Sequence, residues 1–163
     1  MKQDKIYLDR RSSTWQEMNS ILNRWLKERN ELIFLLCSVT GLDQLHDKTT
    51  SLHSKLQNLC QVLVDYVSAG HFEVYEKLVQ EGEVFGENHR SLIANVYPKL
   101  QHSTDIALQF HDRYESFMHQ AELDSLTKDL GNLAELLELR FELEDQLIKE
   151  LHTVHEVKLA SAS

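Results

Sequence analysis

The chain has little proline and glycine, with one proline and five glycines among its 163 residues. Both residues punctuate turns, so a fold of many strands and tight turns would need more of them. Their scarcity favours long, uninterrupted helices. An α-solenoid would show an internal repeat, and the sequence has none. We therefore expect an all-α fold.

Cysteine is scarce as well, with only Cys37 and Cys60 in the chain. The two lack the C-x-x-C spacing of metal and redox sites, and neither has a histidine at ligand spacing. Both fall in apolar helical patterns. We interpret them as buried, unreactive thiols rather than as a disulfide or metal ligands. The sequence indicates no cofactor.

Long apolar runs are absent. No stretch approaches the roughly 20 apolar residues that a membrane-spanning helix needs. The N-terminal sequence MKQDKIYLDRRSS also lacks the apolar core of a secretory signal. We expect a cytoplasmic protein that has no membrane partner.

Positive charge is in deficit, because 17 basic residues face 26 acidic ones and the net charge is −9. A phosphate backbone would be repelled, so direct nucleic-acid binding is disfavoured, whereas a basic protein partner is compatible. The length is most simply that of one helical domain over residues 1–163. We expect residues 1–12 and 158–163 to be flexible.

The first helix is predicted over residues 14–40 from apolar residues at helical spacing. Thr14 and Glu17 have the spacing of a capping box, and Gly41 suits the position just after a helix end. A polar loop is expected over residues 42–50.

The remaining elements are also helical in their patterns. A second helix begins near residue 50 and is ended or bent by Gly70, and a polar loop over residues 81–87 follows a short third helix. The later helices are predicted at 91–96, from Pro98 onwards and at 125–157. Together these segments predict four long antiparallel helices in a bundle, with additional short helices at one end.

Three charged residues fall at core positions of two helices. Glu144 lies eighteen residues after Leu126, hence on the same line of the last helix, and Arg140 lies one turn earlier. Arg29 lies about 20° from the apolar line of the first helix. Buried charges need partners, so we predict either a network of these three that fixes helix register or a polar cavity for a ligand or partner side chain.

Catalytic and metal-binding patterns are missing. The sequence has no Glu-x-x-His pairs of a diiron bundle, no Gly-rich phosphate loop and no nucleophile elbow. The set most like a metal site is His152, His155 and Glu156, which we interpret as surface residues near a frayed helix end. We expect no catalytic residue and no metal site.

The segment LVDYVSAGHFEVYEKL, residues 63–78, combines core-like and surface-like features. Asp65 lies roughly 160° from the apolar centre of its helix, on the outer face. Ser68 occupies a small-residue step before Phe72, whose exposure the periodicity does not decide. A charge beside an aromatic residue is typical of interface centres. The alternative is that Asp65 is a solvated carboxylate and Phe72 maintains the fold.

Three motifs together resemble the family of regulators of sigma D, the Rsd/AlgQ family. Residues 63–78 resemble one signature segment, and Arg24-Trp25-Leu26 with Arg29 resembles the family's RWLxxR. The run from Arg140 to Ile148 resembles RFxLED-x-LI. The motifs come in the family's order and span residues 20–150.

The resemblance implies a non-enzymatic anti-sigma factor with a helical, bundle-like fold. Its partner would be region 4 of the primary sigma subunit of bacterial RNA polymerase, and binding would hinder engagement of core polymerase and of the promoter −35 element. Alternative sigma factors would then be favoured in stationary phase. We expect Asp65, Ser68 and Phe72 to face the partner. The alternative function is a ligand- or protein-sensing bundle that uses the Arg/Glu cavity.

Overall fold

The structure is a computed structural model that describes residues 2–45, 49–116 and 124–162. Within these ranges the regular elements are all helical and no strand occurs. The predicted all-α class is confirmed. The arrangement of four long helices as an antiparallel bundle stays a prediction, as do the division into one domain and the flexibility of both ends.

Six α-helices and two π-helical turns make up the described chain. One π-helical turn, Gly70–Val74, joins α2 to α3, and the other, Lys149–Thr153, joins α5 to α6. The α-helices are α1 Lys2–Leu45, α2 Thr49–Ala69, α3 Tyr75–Val84, α4 Arg90–Tyr114, α5 Leu126–Ile148 and α6 Val154–Ala162. A π turn holds one residue more than an α turn, so it shifts the face that the following helix presents.

Helix α1 is longer than predicted at both ends. It begins at Lys2, so Thr14 lies inside the helix and the predicted capping box is wrong. Gly41 also lies inside it, with open space around the position of an added Cβ. No glycine or proline interrupts residues 2–40, which lets the helix continue. The predicted loop 42–50 is shortened from both sides, and its central residues lie outside the described ranges.

Helix α4 is continuous through Pro98, although a helix start was predicted there. Proline removes one hydrogen bond from a helix interior. The apolar stripe nevertheless continues on both sides, since Val96 and Leu100 are both buried. Tertiary packing of this stripe therefore overrides the local break signal.

The predicted loop 81–87 is also largely helical, and the last α-helix continues into the C-terminal residues. Helix α3 continues to Val84, and the chain then turns at Gly86, whose φ is 74°. Helix α6 reaches Ala162. The acidic and small residues in these segments are compatible with helix, so their polarity alone did not mark a loop.

One apolar cluster forms the core, and every α-helix except α6 contributes buried side chains to it. Helix α1 packs against α2, α3, α5 and α6, while α4 packs against α2 and α5. Helix α1, the first helix, is therefore a neighbour of α5 and α6, the last two. Among the described residues, no helix combines the length and apolarity needed to cross a bilayer.

The two cysteines differ in environment. Cys60 is buried, and burial raises the pKa of its thiol to about 12. Cys37 is exposed, so its predicted burial is wrong. It follows the half-buried Leu36 by one residue, a rotation of about 100° that carries it away from the core.

Candidate functional site

The outer face is the name we give to Glu28, Asp65, Ser68, Phe72 and Glu73. The Asp65 carboxylate is exposed, as predicted, and accepts hydrogen bonds from the Gln61 side chain at 3.1 and 3.3 Å. Ser68 is half-buried on the same side of α2. Phe72 lies in the first π-helical turn and is 79% exposed, which makes it the most exposed of the large apolar side chains in the described ranges.

Three carboxylates of the outer face are close together. Burial raises the pKa of Glu28, and the charges of Asp65 and Glu73 raise it further. The Oε2 atom of Glu28 is buried and has no hydrogen-bond partner. Arg24 offsets part of this negative charge, with its guanidinium 3.7 Å from the Glu73 carboxylate. The face therefore combines an unbalanced acidic patch with an exposed aromatic ring.

Gly70 lies directly beneath this face. An added Cβ would lie 3.0 Å from the Tyr75 hydroxyl and 3.1 Å from the Trp25 ring, which is tighter than ordinary packing. The small-residue step before Phe72 therefore serves the interior of the protein at Gly70. It lets two aromatic rings close against the backbone below the π-helical turn.

The buried network is centred on Glu144, which is 1% exposed. Its Oε1 accepts hydrogen bonds from Arg29 at 3.2 Å and from the Tyr66 hydroxyl at 2.5 Å. Its Oε2 accepts from Arg140 at 3.1 Å and from the Tyr75 hydroxyl at 2.5 Å. Both oxygens of the carboxylate are thus occupied by two donors each.

Arg140 connects Glu144 to α4 and is completely buried. Its guanidinium donates to the hydroxyls of Ser103 at 2.8 Å and Thr104 at 2.7 Å, and to the Tyr75 oxygen at 2.7 Å. A buried guanidinium with donors satisfied on all three nitrogens is stable in an apolar core.

Arg29 connects the network to the surface. It donates to Tyr66 at 3.0 Å and to the exposed Asp145 at 2.6 Å, and its guanidinium lies 4.8 Å from the Phe141 ring centroid. The structure therefore brings together the three charged residues that the helical wheel placed in the core.

The two tyrosines of the network were not predicted. Burial, followed by the negative charge of Glu144, raises the pKa of both Tyr66 and Tyr75, so both stay protonated and donate. Each falls in an apolar pattern, where an aromatic residue reads as ordinary core. The signal that could have identified them is that a buried Glu144 needs hydrogen-bond donors, which tyrosine hydroxyls can supply.

A second polar cluster, the histidine cluster, was missed. His152 and His155 are 4% and 0% exposed, so their interpretation as surface residues is wrong. Their Nδ1 atoms lie 2.8 and 2.9 Å from the carboxylate oxygens of Glu81, which is itself 0% exposed. The second π-helical turn contains His152 and precedes His155, and its change of helix face is invisible to a periodic pattern.

His155 has a carboxylate on each ring nitrogen, because its Nε2 lies 2.5 Å from Glu87. Burial alone would lower the pKa of His155, but the hydrogen bonds to Glu81 and Glu87 outweigh it and the pKa is raised. Burial acts to raise the pKa of Glu87, yet hydrogen bonds from Lys158, His155 and His89 lower it to about 2.

Aromatic stacking closes the histidine cluster. The Phe85 ring stacks on His155 with centroids 3.8 Å apart, and Trp15 stacks on His152 at 4.9 Å. The second nitrogen of His152 lies 3.1 Å from the side-chain oxygen of Asn19. In the described part of the chain, no group of three or more potential ligands is arranged to hold a metal ion. The cluster is a set of polar contacts that joins Glu81 of α3 to His152 of the second π-helical turn and His155 of α6.

Comparison with known proteins agrees with the motifs. The family model for the regulator of RNA polymerase sigma(70) subunit, Rsd/AlgQ, matches residues 7–152. A Regulator of sigma D from Yersinia pseudotuberculosis (strain IP 31758) is 38% identical over 135 residues, which cover 80% of this chain and 79% of that protein.

Two further relatives carry the same name. The protein of Yersinia enterocolitica is 38% identical over 135 residues, covering 80% of each chain. That of Enterobacter sp. (strain 638) is 35% identical over 132 residues, covering 80% of this chain and 79% of its own. No solved structure matches the chain. The family model and these identities over four fifths of the sequence show that the chain belongs to the Rsd/AlgQ family.

Proposed function

We propose that this protein is an anti-sigma factor that binds the primary sigma subunit of bacterial RNA polymerase through its region 4. Binding hinders sigma from engaging core polymerase and promoter −35 DNA, and it favours alternative sigma factors in stationary phase. The observation that supports this most directly is the outer face, in a chain of a family described as regulators of the sigma(70) subunit. We propose that the role is cytoplasmic. It is also non-enzymatic, because it requires binding alone.

Electrostatics support region 4 as the partner. Its helix-turn-helix reads promoter DNA and is basic, so an acidic surface attracts it as phosphates do. Glu28, Asp65 and Glu73 supply that acidic surface, within a chain of net charge −9. The same net charge disfavours direct binding of this chain to DNA.

The contacts we propose follow from exposure and chemistry. Asp65 pairs with an arginine of region 4, since its carboxylate is exposed and, within the described ranges, accepts hydrogen bonds from the Gln61 amide, which a guanidinium can displace. Phe72 is the apolar anchor, because a ring with 79% exposure gains most from burial at an interface. Ser68 lies between them and supplies a small polar contact.

The buried network favours a structural role for Arg29, Arg140 and Glu144 over a ligand cavity. Every side-chain nitrogen and oxygen of Arg140 and Glu144 already has a partner within the protein. A ligand would have to displace these contacts. We propose that the network fixes helix register beneath the outer face.

Residue contacts also support the antiparallel bundle. Along α1, Trp15 contacts His152 and the later Arg29 contacts the earlier Asp145, so residue numbers rise in one helix as they fall in the other. The same reversal relates α4 to α5, in the contacts of Arg113 with Asp129 and of Ser103 with Arg140. We propose that the long helices alternate in direction.

The test is calorimetric titration of the protein against isolated region 4 of its own primary sigma subunit. Asp65→Ala should weaken binding by about 2–5 kcal/mol, the usual effect of removing one member of a desolvated interfacial charge pair. Its melting temperature should hold, since surface substitutions change stability by about 0.5 kcal/mol or less. Phe72→Ala should weaken binding by 2 kcal/mol or more, as roughly expected of an interface hot spot.

Asp105→Ala is the matched control. Asp105 is also exposed on a helix and accepts a hydrogen bond at 3.1 Å from a glutamine four residues earlier, Gln101, just as Asp65 does from Gln61. It should leave affinity unchanged. Wild-type protein that does not bind region 4 would overturn the assignment, and equal losses for Asp65→Ala and Asp105→Ala would remove Asp65 from the interface.

A further inference from the structure

The start of α1, residues 2–11, forms an exposed arm. Every residue from Lys2 to Arg10 is exposed, and the apolar Ile6, Tyr7 and Leu8 are exposed by 66%, 60% and 37%. These are three of the ten large apolar side chains that are exposed in the described ranges. Successive residues point about 100° apart on a helix, so the arm has apolar side chains to bury on more than one side.

One side of the arm, which we call its inner face, consists of Asp4, Tyr7, Leu8 and Arg11. These residues have the i, i+3, i+4, i+7 spacing of a single helical stripe. Trp25 follows Tyr7 by eighteen residues, hence lies on the same line, and it is 2% exposed in the core. The inner face therefore continues the buried stripe of α1 into a region where the stripe is exposed.

The inner face borders a cleft whose opposite wall includes Gln80, Glu83 and Val84 of α3. The volume of this cleft is about 1090 Å³. A helix about 10 Å across occupies roughly 120 Å³ per residue, so the cleft has room for roughly nine helical residues. The exposed run from Lys2 to Arg10 has that length, so the arm of a second copy would fit into the cleft.

The inner face is complementary to itself when two arms lie antiparallel. If Tyr7 of one arm lies against Tyr7 of the second copy, Asp4 is level with Arg10 of that copy, and Arg11 comes next. A two-fold axis repeats this contact, as in the interfaces of symmetric dimers. Asp4 already has a partner within its own chain, so association would exchange that contact for one between the two copies.

The charge of the arm also suits the opposite wall of the cleft. Residues 2–11 carry four basic and two acidic side chains and have a net charge of +2, so the rest of the chain, whose total is −9, carries −11. Lys5 lies about 160° from Tyr7, on the side away from the inner face. In an arm that occupies the cleft of another copy, Lys5 is therefore directed towards Glu83 of that copy.

We infer that two copies of this chain associate by reciprocal insertion of their arms. The arm of each copy lies in the cleft of the other, with the two inner faces paired antiparallel, so that each arm is covered on both sides. Glu28 of the outer face lies 21 residues from Tyr7, about 32 Å along α1. The dimer thus leaves the outer face accessible, and the inference does not depend on the proposed function.

The test is sedimentation equilibrium of the full chain over about 1–200 µM, since the dimer fraction depends on protomer concentration. The mass should rise from 19.0 kDa towards about 38 kDa, that of a symmetric dimer. Tyr7→Asp places two like charges at the two-fold axis and should weaken association at least about tenfold. Phe34→Asp is the matched control, because Phe34 is an aromatic residue of α1 that is 68% exposed outside the arm, and it should associate as wild type does.

A charge exchange tests the pairing itself. Asp4→Arg sets an arginine against Arg10 and Arg11 of the second copy, and the double variant Arg10→Asp with Arg11→Asp sets aspartates against Asp4. Each variant alone should be monomeric because like charges then face each other across the interface. An equimolar mixture of the two should associate, since opposite charges face each other in both halves of the mixed dimer.

Three results would overturn the inference. One is a wild-type chain that remains at 19.0 kDa at about 200 µM. Another is association of Tyr7→Asp that matches wild type, and the third is a mixture of the charge variants that stays monomeric. Circular dichroism checks that the variants keep their helices. A monomeric wild type whose Tyr7→Asp variant loses binding to region 4 would instead assign the arm to the sigma subunit.

Discussion

Glu144→Gln should destabilise the protein far more than any exposed substitution on the same helix. The change keeps the shape of the side chain but removes the negative charge that Arg29 and Arg140 share. The new amide nitrogen would also face donors in place of an acceptor oxygen. Whichever way the amide turned, two of the four hydrogen bonds to this side chain would be lost.

The magnitude follows from burial. Glu144 is 1% and Arg140 0% exposed, so water cannot compensate for the lost charge. Removing one member of a buried ion pair costs about 3–5 kcal/mol. For a chain of this size, each kcal/mol corresponds to roughly 2–4 °C in melting temperature, so we expect a decrease of roughly 6–20 °C.

Thermal and urea unfolding of purified Glu144→Gln measure the effect. The control is Glu142→Gln, which makes the same chemical change two residues earlier at an exposed position. It should change the free energy of unfolding by about 0.5 kcal/mol or less. Similar losses in the two variants would show that Glu144 is not a buried ionic centre, and the reasoning would fail.

Two further predictions concern the glycine under the outer face and the histidine cluster. Gly70→Ala should destabilise the protein by about 1–3 kcal/mol through overpacking against Tyr75 and Trp25. Gly131→Ala, with open space around the added Cβ, should instead stabilise the protein by about 0.5–1 kcal/mol. Urea unfolding of the two variants measures both changes. Because the pKa of His155 is raised in the folded state, its contribution to stability is complete below the ordinary pKa of about 6.5 and is lost as pH rises through the raised value. His155→Asn should remove this decrease in stability as pH rises above about 6.5. A wild-type slope in the variant would contradict the assignment.

Sequence periodicity was sufficient to predict the all-α class and the core positions of Arg29, Arg140 and Glu144. Wheel arithmetic depends only on helix geometry, and the segments that carry these residues are regular α-helix. The outward position of Asp65 followed in the same way. Burial of charge is therefore predictable wherever a helix stays regular.

Local break signals predicted less well. Thr14, Gly41 and Pro98 each suit a helix end, yet each lies inside a helix. At Pro98 the apolar stripe continues on both sides, since Val96 and Leu100 are both buried. The cost of a proline in a helix interior, about 3 kcal/mol, can be offset by the burial of several large side chains. A single residue near a helix end is weak evidence against a continuing stripe.

The π-helical turns account for Phe72, whose exposure periodicity left undecided, and for His152, whose interpretation as a surface residue was wrong. Each inserts a residue and shifts the helix face, so Phe72 is exposed beside a buried Gly70, and His152 is buried beside an exposed Thr153. A helical wheel that assumes a constant 100° per residue through either π-helical turn assigns the residues after the turn to the wrong face. Positions within and after such a turn are therefore decided by three-dimensional contacts.

Helix α3 makes buried polar contacts at both of its ends. These contacts explain why buried charge is retained in this protein. At its start, Tyr75 donates to Glu144, and near its end Glu81 binds His152 and His155. Apolar packing alone would tolerate sliding or rotation of this ten-residue helix. Hydrogen bonds at both ends form together in only one position of the helix, so they fix it. Since Phe72 lies just before α3, the same bonds determine where the exposed ring of the outer face stands. Fixing that ring before it meets a partner reduces the entropy lost on binding, which is the advantage of a pre-organised interface.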